Sequence, residues 1–146
     1  MKFWIYYQKN FGKIKTQLSL ILFPNPAYSY EKLLKDLPLT TPWQHPDSYS
    51  GLHLYVIRLQ LETMKVSHRE VFERLRVAGI GVNVHYIPVY RQPYYSRLGF
   101  KPSDFPQAES YYAEAISLPI YPALTEEQQS EVVHRLSTPI GHQTIF

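Results

Sequence analysis

The residues best suited to chemistry lie close together in the middle of the chain, in the segment 81–95. Asn83 and His85 alternate with apolar residues, so a strand there would present both polar side chains on one side. Pro88 ends that strand, and Arg91 follows within a run of tyrosines. An imidazole can donate to phosphate or sugar oxygens, and rings pack against ring-bearing ligands. The pattern suits a polar, anionic ligand.

A plainer interpretation of the same residues stays open. The asparagine and histidine can be bonded to neighbouring backbone, with the tyrosines as ordinary packing. Other motifs do not help to decide, because the sequence contains no glycine-rich phosphate loop, no nucleophile elbow and no HExxH. Its six histidines are scattered. We therefore expect no catalytic residue and no metal ligand in this chain.

Composition and charge exclude several classes of protein. The net charge of +3 arises from 15 basic and 12 acidic residues without a basic run, so nucleic-acid binding is not expected. The absence of cysteine excludes disulfide scaffolds and thiolate metal sites. The longest apolar run, residues 18–23, is far shorter than the roughly 20 residues that span a bilayer. We expect a cytoplasmic protein with no membrane partner.

Periodicity and capping signals predict four helices that alternate with three strands. Leucines at helical spacing predict a helix over 28–37, and an apolar stretch predicts a buried strand over 52–59. Ser67 and Glu70 have the form of a capping box, so a second helix begins there and Gly79 closes it. The remaining elements are a strand over 82–86, a helix opening at Ser103 or Asp104 ahead of Pro106, a strand over 116–121 and a helix from Thr125.

This order of elements predicts the α+β fold class, with a small antiparallel-type sheet and its helices on one face. A chain of 146 residues, 45% of them hydrophobic, is long enough for one core. Aromatic residues make up 15% of the chain, and such large rings dominate burial wherever they cluster. We therefore expect one domain.

Several of these segments together resemble one enzyme family. They are Asn83-Val84-His85-Tyr86-Ile87-Pro88, the stretch 52–57, the stretch 108–112 and the run from Ile116 to Thr125. In this order and spacing they are similar to the C-terminal part of the DegT-type (DegT/DnrJ/EryC1/StrS) nucleotide-sugar aminotransferases, which depend on pyridoxal phosphate. The resemblance covers residues 28–136. Within the family it is greatest to the transaminases of pseudaminic acid biosynthesis, a branch that the segment 43–50 also supports.

The resemblance implies the small C-terminal domain of a fold-type I aminotransferase, which in this family is a homodimer. The parent reaction would aminate C4 of a UDP-linked 4-keto-6-deoxy-N-acetylhexosamine, with glutamate as donor. A lysine of the large domain holds the cofactor as a Schiff base. None of the eight lysines in this sequence lies in a segment resembling that motif. We therefore expect no pyridoxal phosphate on this chain and no cofactor-binding residue.

The family's substrate-contacting stretch matches Asn83, Val84, His85 and Tyr86, which would meet a UDP-linked amino or keto sugar from the small-domain side. Tyr90 stands where many relatives have histidine, so the resemblance assigns no role to that position.

The resemblance also suggests boundaries. Residues 1–27 do not match and are interpreted as a frameshifted or disordered segment, followed by the small domain over 28–138 and a tail over 139–146. Two functions stay open. The first is an enzyme fragment, inactive alone, that lines a sugar-nucleotide site when joined to a large catalytic domain or second subunit. The second is a non-catalytic module that binds a sugar nucleotide or another protein.

Overall fold

A computed structural model describes residues 26–47 and 53–140. Residues 1–25 of the predicted non-matching segment lie outside the described residues. Residues 141–146 of the predicted tail also lie outside them. The helices and strands are α1 (Pro26–Leu33), β1 (Leu39–Thr40), β2 (Tyr55–Leu59), α2 (His68–Val77), α3 (Pro93–Arg97), α4 (Pro106–Glu114), β3 (Ala115–Leu118) and α5 (Glu126–Ser137). Short 3-10 turns occupy Leu61–Thr63, Val89–Arg91 and Pro102–Asp104.

The three strands form one antiparallel sheet in the order β1-β2-β3, which confirms the α+β fold class. Tyr55 lies opposite Leu118, and Arg58 opposite Ala115. Burial alternates along β2, whose first, third and fifth residues are buried and whose second and fourth are half-buried. The half-buried Arg58 contacts α4, where its Nε donates to Glu114 Oε2 at 3.0 Å. One side of β2 therefore faces the core, and the other side carries Arg58, which forms a salt bridge with Glu114 of α4.

The hydrophobic core lies between this sheet and α1, α2 and α5. Tyr30 of α1 is fully buried, and its ring centroid lies 5.1 Å from that of Tyr55. Its hydroxyl donates to the carbonyl oxygen of Pro119 at 2.9 Å. Burial raises the pKa of Tyr55 to about 12 and raises the pKa of Tyr30 as well. Other side chains without exposed surface are Ile57, Val71, Leu75, Ile116 and Leu136.

Two capping boxes are present, and one of them is the predicted pair of Ser67 and Glu70. Ser67 Oγ accepts from the Glu70 amide at 3.3 Å, and the Glu70 carboxylate accepts from the Ser67 amide at 2.8 Å. At the start of α5, Thr125 and Gln128 make the same reciprocal pair, at 3.2 and 3.0 Å. Gly79 follows α2 with φ of 81°, the left-handed conformation that a closing glycine adopts at low cost. Local sequence signals thus set where these helices begin and end.

The strand predicted over 82–86 is wrong. Only one antiparallel bridge forms there, between Asn83 and Ser117. Toward residue 81, the next hydrogen-bonded pair would need the amide of residue 119, but residue 119 is a proline and has no amide hydrogen. Toward residue 85, the next pair would need the backbone of Ala115. The amide of Ala115 already donates to Tyr111 O, and its carbonyl already accepts from His68 Nε2. Because β3 has no further backbone groups to offer, the segment leaves the sheet after one pair.

The described residues contain neither a membrane span nor a metal site. Within residues 26–47 and 53–140, no helix has the length and apolar character needed to cross a bilayer. Over the same ranges, no three histidine or acidic side chains lie together in a way that would bind a metal ion.

Candidate functional site

Ser117 of β3 joins the predicted site to the sheet. It is only 4% exposed. Its amide donates to Asn83 O at 2.8 Å, and its carbonyl accepts from Asn83 N at 3.2 Å. Its Oγ lies 2.7 Å from His85 Nδ1. One buried residue therefore fixes both the backbone of Asn83 and the ring of His85.

The four residues expected to contact substrate all lie at or near the surface. Asn83 is exposed, and its Oδ1 accepts from the amide of Val84 at 3.1 Å. Val84 and His85 are half-buried, and Tyr86 is 72% exposed. The rings of His85 and Tyr86 meet edge to face at 4.7 Å, across a cis peptide bond. The structure therefore pairs His85 with Tyr86, while the Asn83 side chain bonds to its own neighbour.

Arg91 is held in an ion pair. In the turn after the site, its Nε donates to Glu109 Oε1 at 2.8 Å and its terminal nitrogen donates to the other carboxylate oxygen. Tyr90 O–H donates to the same carboxylate at 2.5 Å. The guanidinium lies 5.1 Å from the ring centre of Tyr112. Glu109 therefore ties the turn to α4 and neutralises the cation that the sequence offered to an anionic ligand.

These contacts shift three pKa values. The Arg91 guanidinium, with the Tyr90 hydroxyl, lowers the pKa of Glu109 below its ordinary value. Burial and the hydrogen bond to Glu109 raise the pKa of Tyr90, and the hydrogen bond to Glu109 raises that of Arg91. The carboxylate thus stays ionised at neutral pH, and its hold on the turn is strongest in that state.

Beyond this turn, an exposed surface of rings surrounds α3. We call Tyr94, Tyr95, Phe100 and Phe105 the aromatic face; they are between 37% and 63% exposed. Successive ring centroids lie 5.2, 6.5 and 6.0 Å apart, and Phe105 stacks on the buried ring of Tyr90 at 4.4 Å. Contiguous exposed apolar surface of this kind is typical of contact with another protein surface.

Sequence reasoning missed Ser117 and Glu109. Ser117 is a lone hydroxyl in the otherwise apolar run of β3, which was a usable signal. Glu109 is 18 positions from Arg91 along the chain, so no local pattern pairs the two residues.

The four described lysines do not have the surroundings of a Schiff-base lysine. A lysine that forms a Schiff base is normally desolvated or close to another cation, which lowers its pKa. The four described lysines, Lys32, Lys35, Lys65 and Lys101, are all exposed. None of these four lysines is therefore suited to hold the cofactor.

Comparison with known proteins identifies the family. The sequence profile of the DegT/DnrJ/EryC1/StrS aminotransferase family matches residues 25–137. The spore coat polysaccharide biosynthesis protein SpsC of Bacillus subtilis is 36% identical over 110 residues, covering 73% of this chain and 28% of SpsC. The UDP-4-amino-4,6-dideoxy-N-acetyl-beta-L-altrosamine transaminase of Helicobacter pylori is 34% identical over 110 residues, covering 74% and 28%.

Solved structures agree. Helicobacter pylori PseC, an aminotransferase involved in pseudaminic acid biosynthesis, matches with a TM-score of 0.69 and 29% identity, covering 80% of this chain and 31% of that one. DesV of S. venezuelae, solved with a ketimine intermediate, matches with a TM-score of 0.70 and 27% identity, covering 82% and 31%. The chain spans less than a third of the length of each of these relatives. It belongs to the DegT/DnrJ/EryC1/StrS aminotransferase family and corresponds to a part of such a sugar aminotransferase.

Proposed function

We propose that this chain supplies the small-domain wall of a nucleotide-sugar site, in an aminotransferase that becomes active only when a large domain completes it. One observation carries the proposal. The half-buried ring of His85 and the exposed ring of Tyr86 lie together at the surface, and the buried Ser117 holds that segment on the sheet. A rigid support beneath accessible polar and aromatic groups is what a binding wall requires.

The chemistry of the segment suits a nucleotide sugar. The imidazole of His85 and the amide of Asn83 offer hydrogen bonds to phosphate, carbonyl or hydroxyl oxygens. Tyr86 offers a flat apolar surface to a sugar or base. Arg91 is already engaged by Glu109, so the proposal gives it no phosphate contact.

The finer proposal concerns the reaction. Similarity to the Helicobacter pylori transaminase and to PseC favours amination at C4 of a UDP-4-keto-6-deoxy-N-acetylhexosamine, with glutamate as the amino donor. The cofactor lysine and the phosphate-binding groups would come from the large domain, because the described lysines are all exposed. This chain alone would bind no pyridoxal phosphate and catalyse nothing.

The aromatic face is the surface that we propose to contact the rest of the enzyme. In the part of the chain that the structure describes, these rings lie against solvent. Complete burial of one large apolar side chain is worth about 1.5–3 kcal/mol, and covering the part of each ring that is still exposed supplies a fraction of that amount. We assign that cover to the large catalytic domain or to the second subunit of the assembled enzyme.

A chimera tests the proposal. Residues 26–146 replace the matching segment of the Helicobacter pylori transaminase, and glutamate-dependent amination of the UDP-4-keto sugar is measured. We expect an active, cofactor-loaded enzyme. His85→Ala is expected to raise KM about tenfold, the effect of losing one hydrogen bond to a charged oxygen.

The matched control is His53→Ala, which removes an exposed imidazole outside the site and should leave KM unchanged. If the chimera is active and the two variants have the same KM, His85 does not contact the substrate. A folded, cofactor-loaded chimera without activity would favour the alternative of a non-catalytic binding module.

A further inference from the structure

We infer that Ser117 is a positioning residue that sets the tautomer of His85. Its hydroxyl holds the neutral imidazole with the proton on Nε2, so that the nitrogen left for a ligand is a hydrogen-bond donor. The identity of the ligand rests on the proposed function, whereas the tautomer does not.

The burial of the serine is the first step. Ser117 is 4% exposed, so water has little access to its hydroxyl. A hydroxyl carries one proton that it can donate, and a buried donor without an acceptor bears the full cost of its desolvation. The amide and carbonyl of Ser117 are already paired with Asn83. The hydroxyl therefore needs an acceptor of its own.

His85 Nδ1 is that acceptor. It lies 2.7 Å from Ser117 Oγ, and in the part of the chain that the structure describes no other hydrogen bond of this hydroxyl is recorded. If Nδ1 carried the proton and donated to Oγ, the serine proton would be left without an acceptor. Donation from Oγ to Nδ1 satisfies both groups.

The tautomer follows from this direction of donation. In a neutral imidazole one nitrogen donates and the other accepts, so an accepting Nδ1 places the proton on Nε2. Among residues 26–47 and 53–140 the structure records no partner for Nε2, and the ring is half-buried. His85 would thus present an N–H to its surroundings.

This N–H selects a class of ligand group. It matches acceptor oxygens, such as those of a diphosphate, a carbonyl or a sugar hydroxyl, and it does not match an ammonium group. On the proposed function, the acceptor is an oxygen of the UDP-linked sugar. The serine would then contribute to substrate selection without touching the substrate.

The test is a measurement of the histidine tautomer by long-range proton–nitrogen NMR on the 15N-labelled full chain, at about pH 8, where histidine is ordinarily neutral. His85→Gln assigns the signals. We expect a protonated Nε2 and an unprotonated Nδ1 in the unmutated chain. The opposite pattern would overturn the inference, whatever the variants do.

Two substitutions separate positioning from a structural role. Ser117→Ala keeps the backbone pair with Asn83 and should raise the fraction of His85 protonated on Nδ1 about fivefold, the ratio that one ordinary hydrogen bond supports. Ser117→Thr keeps the hydroxyl and should restore the original ratio. The control Ser110→Ala removes a hydroxyl of α4 that bonds Glu114, and should leave it unchanged. A Ser117→Ala ratio equal to that of the unmutated chain contradicts the inference.

Titration of the 15N-labelled chimera with UDP, in which the large domain completes the site, separates this inference from the proposed function. A change in the Nε2–H signal of His85 supports both. If the tautomer is as inferred and UDP leaves that signal unchanged, the role of Ser117 stands and the proposed nucleotide site fails.

Discussion

The hydroxyl of Tyr30 ties α1 to the chain just beyond β3, and Tyr30→Phe measures what this tie contributes. The substitution keeps the buried ring, with its contact to Tyr55 at 5.1 Å, and removes only the bond to Pro119 O at 2.9 Å. A net hydrogen bond is worth about 0.5–1.5 kcal/mol, and a carbonyl orphaned in the core costs about 1–3 kcal/mol. Because Pro119 is half-buried, water replaces part of the lost bond. We expect a loss of about 1–1.5 kcal/mol in the free energy of unfolding.

Urea denaturation followed by circular dichroism gives the free energy of unfolding. If its dependence on urea concentration is the same in both proteins, the same amount of surface is exposed on unfolding. The matched control is Tyr121→Phe, which removes a hydroxyl that donates to Gln128 Oε1 at 3.3 Å on the surface. That variant should change stability by less than about 0.5 kcal/mol. The reasoning is refuted if the two variants lose the same amount, since burial of the bond would then make no difference.

Three further perturbations test the capping, the buried tyrosine and the ion pair. Ser67→Ala removes the cap that Glu70 reciprocates and should cost about 1 kcal/mol in urea denaturation, so a loss near zero would mean that the box does not stabilise α2. Burial raises the pKa of Tyr55 to about 12, so its protonated hydroxyl stabilises the fold fully below about pH 10, and this is lost as the pH approaches 12. Thermal melts of Tyr55→Phe should therefore fall less steeply over that range, and an identical fall would contradict the assignment. Arg91 lowers the pKa of Glu109, so the stabilisation is present above the ordinary glutamate pKa of about 4.3 and is lost as the pH falls through the lower folded value. Glu109→Gln should thus lower the melting temperature at neutral pH, and this deficit should shrink as the pH falls below about 4, whereas a deficit that does not change with pH would show that charge is not the source.

Local signals in the sequence were enough to locate much of the fold. The capping pairs at Ser67 and Thr125 and the glycine at 79 lie next to the helix ends they determine. The buried positions of α5, Val132, Val133 and Leu136, follow from helical periodicity. Such features depend on residues a few positions apart, so they can be inferred without knowing the tertiary fold.

Other elements depend on partners that are distant in sequence. The two-residue strand β1 exists only because Leu39 meets Leu59 of β2. The alternation over 82–86 resembles a strand, yet the partner strand has only one residue available for pairing. The helical spacing of Val71 and Leu75 continues to Ala78, yet Ala78 is exposed because it lies at the C-cap of α2, beyond the core.

The candidate site shows the same division. The segment Asn83 to Tyr86 was found from its residue types and from its resemblance to the family, and it lies at the surface. Ser117, which holds this segment, and Glu109, which holds the turn after it, come from other elements. No spacing rule connects either residue to the residues that it holds.

The single bridge between Asn83 and Ser117 has a consequence for self-association at the edge of the sheet. β3 is the last strand of its sheet, and all four of its residues are buried. An uncovered apolar strand in that place would recruit strands from neighbouring molecules and begin aggregation. Asn83 occupies the middle of this row of backbone groups, His68 caps the carbonyl of Ala115, and Pro119 has no amide to offer. The segment proposed to meet the ligand therefore also protects against sheet growth from one molecule to the next.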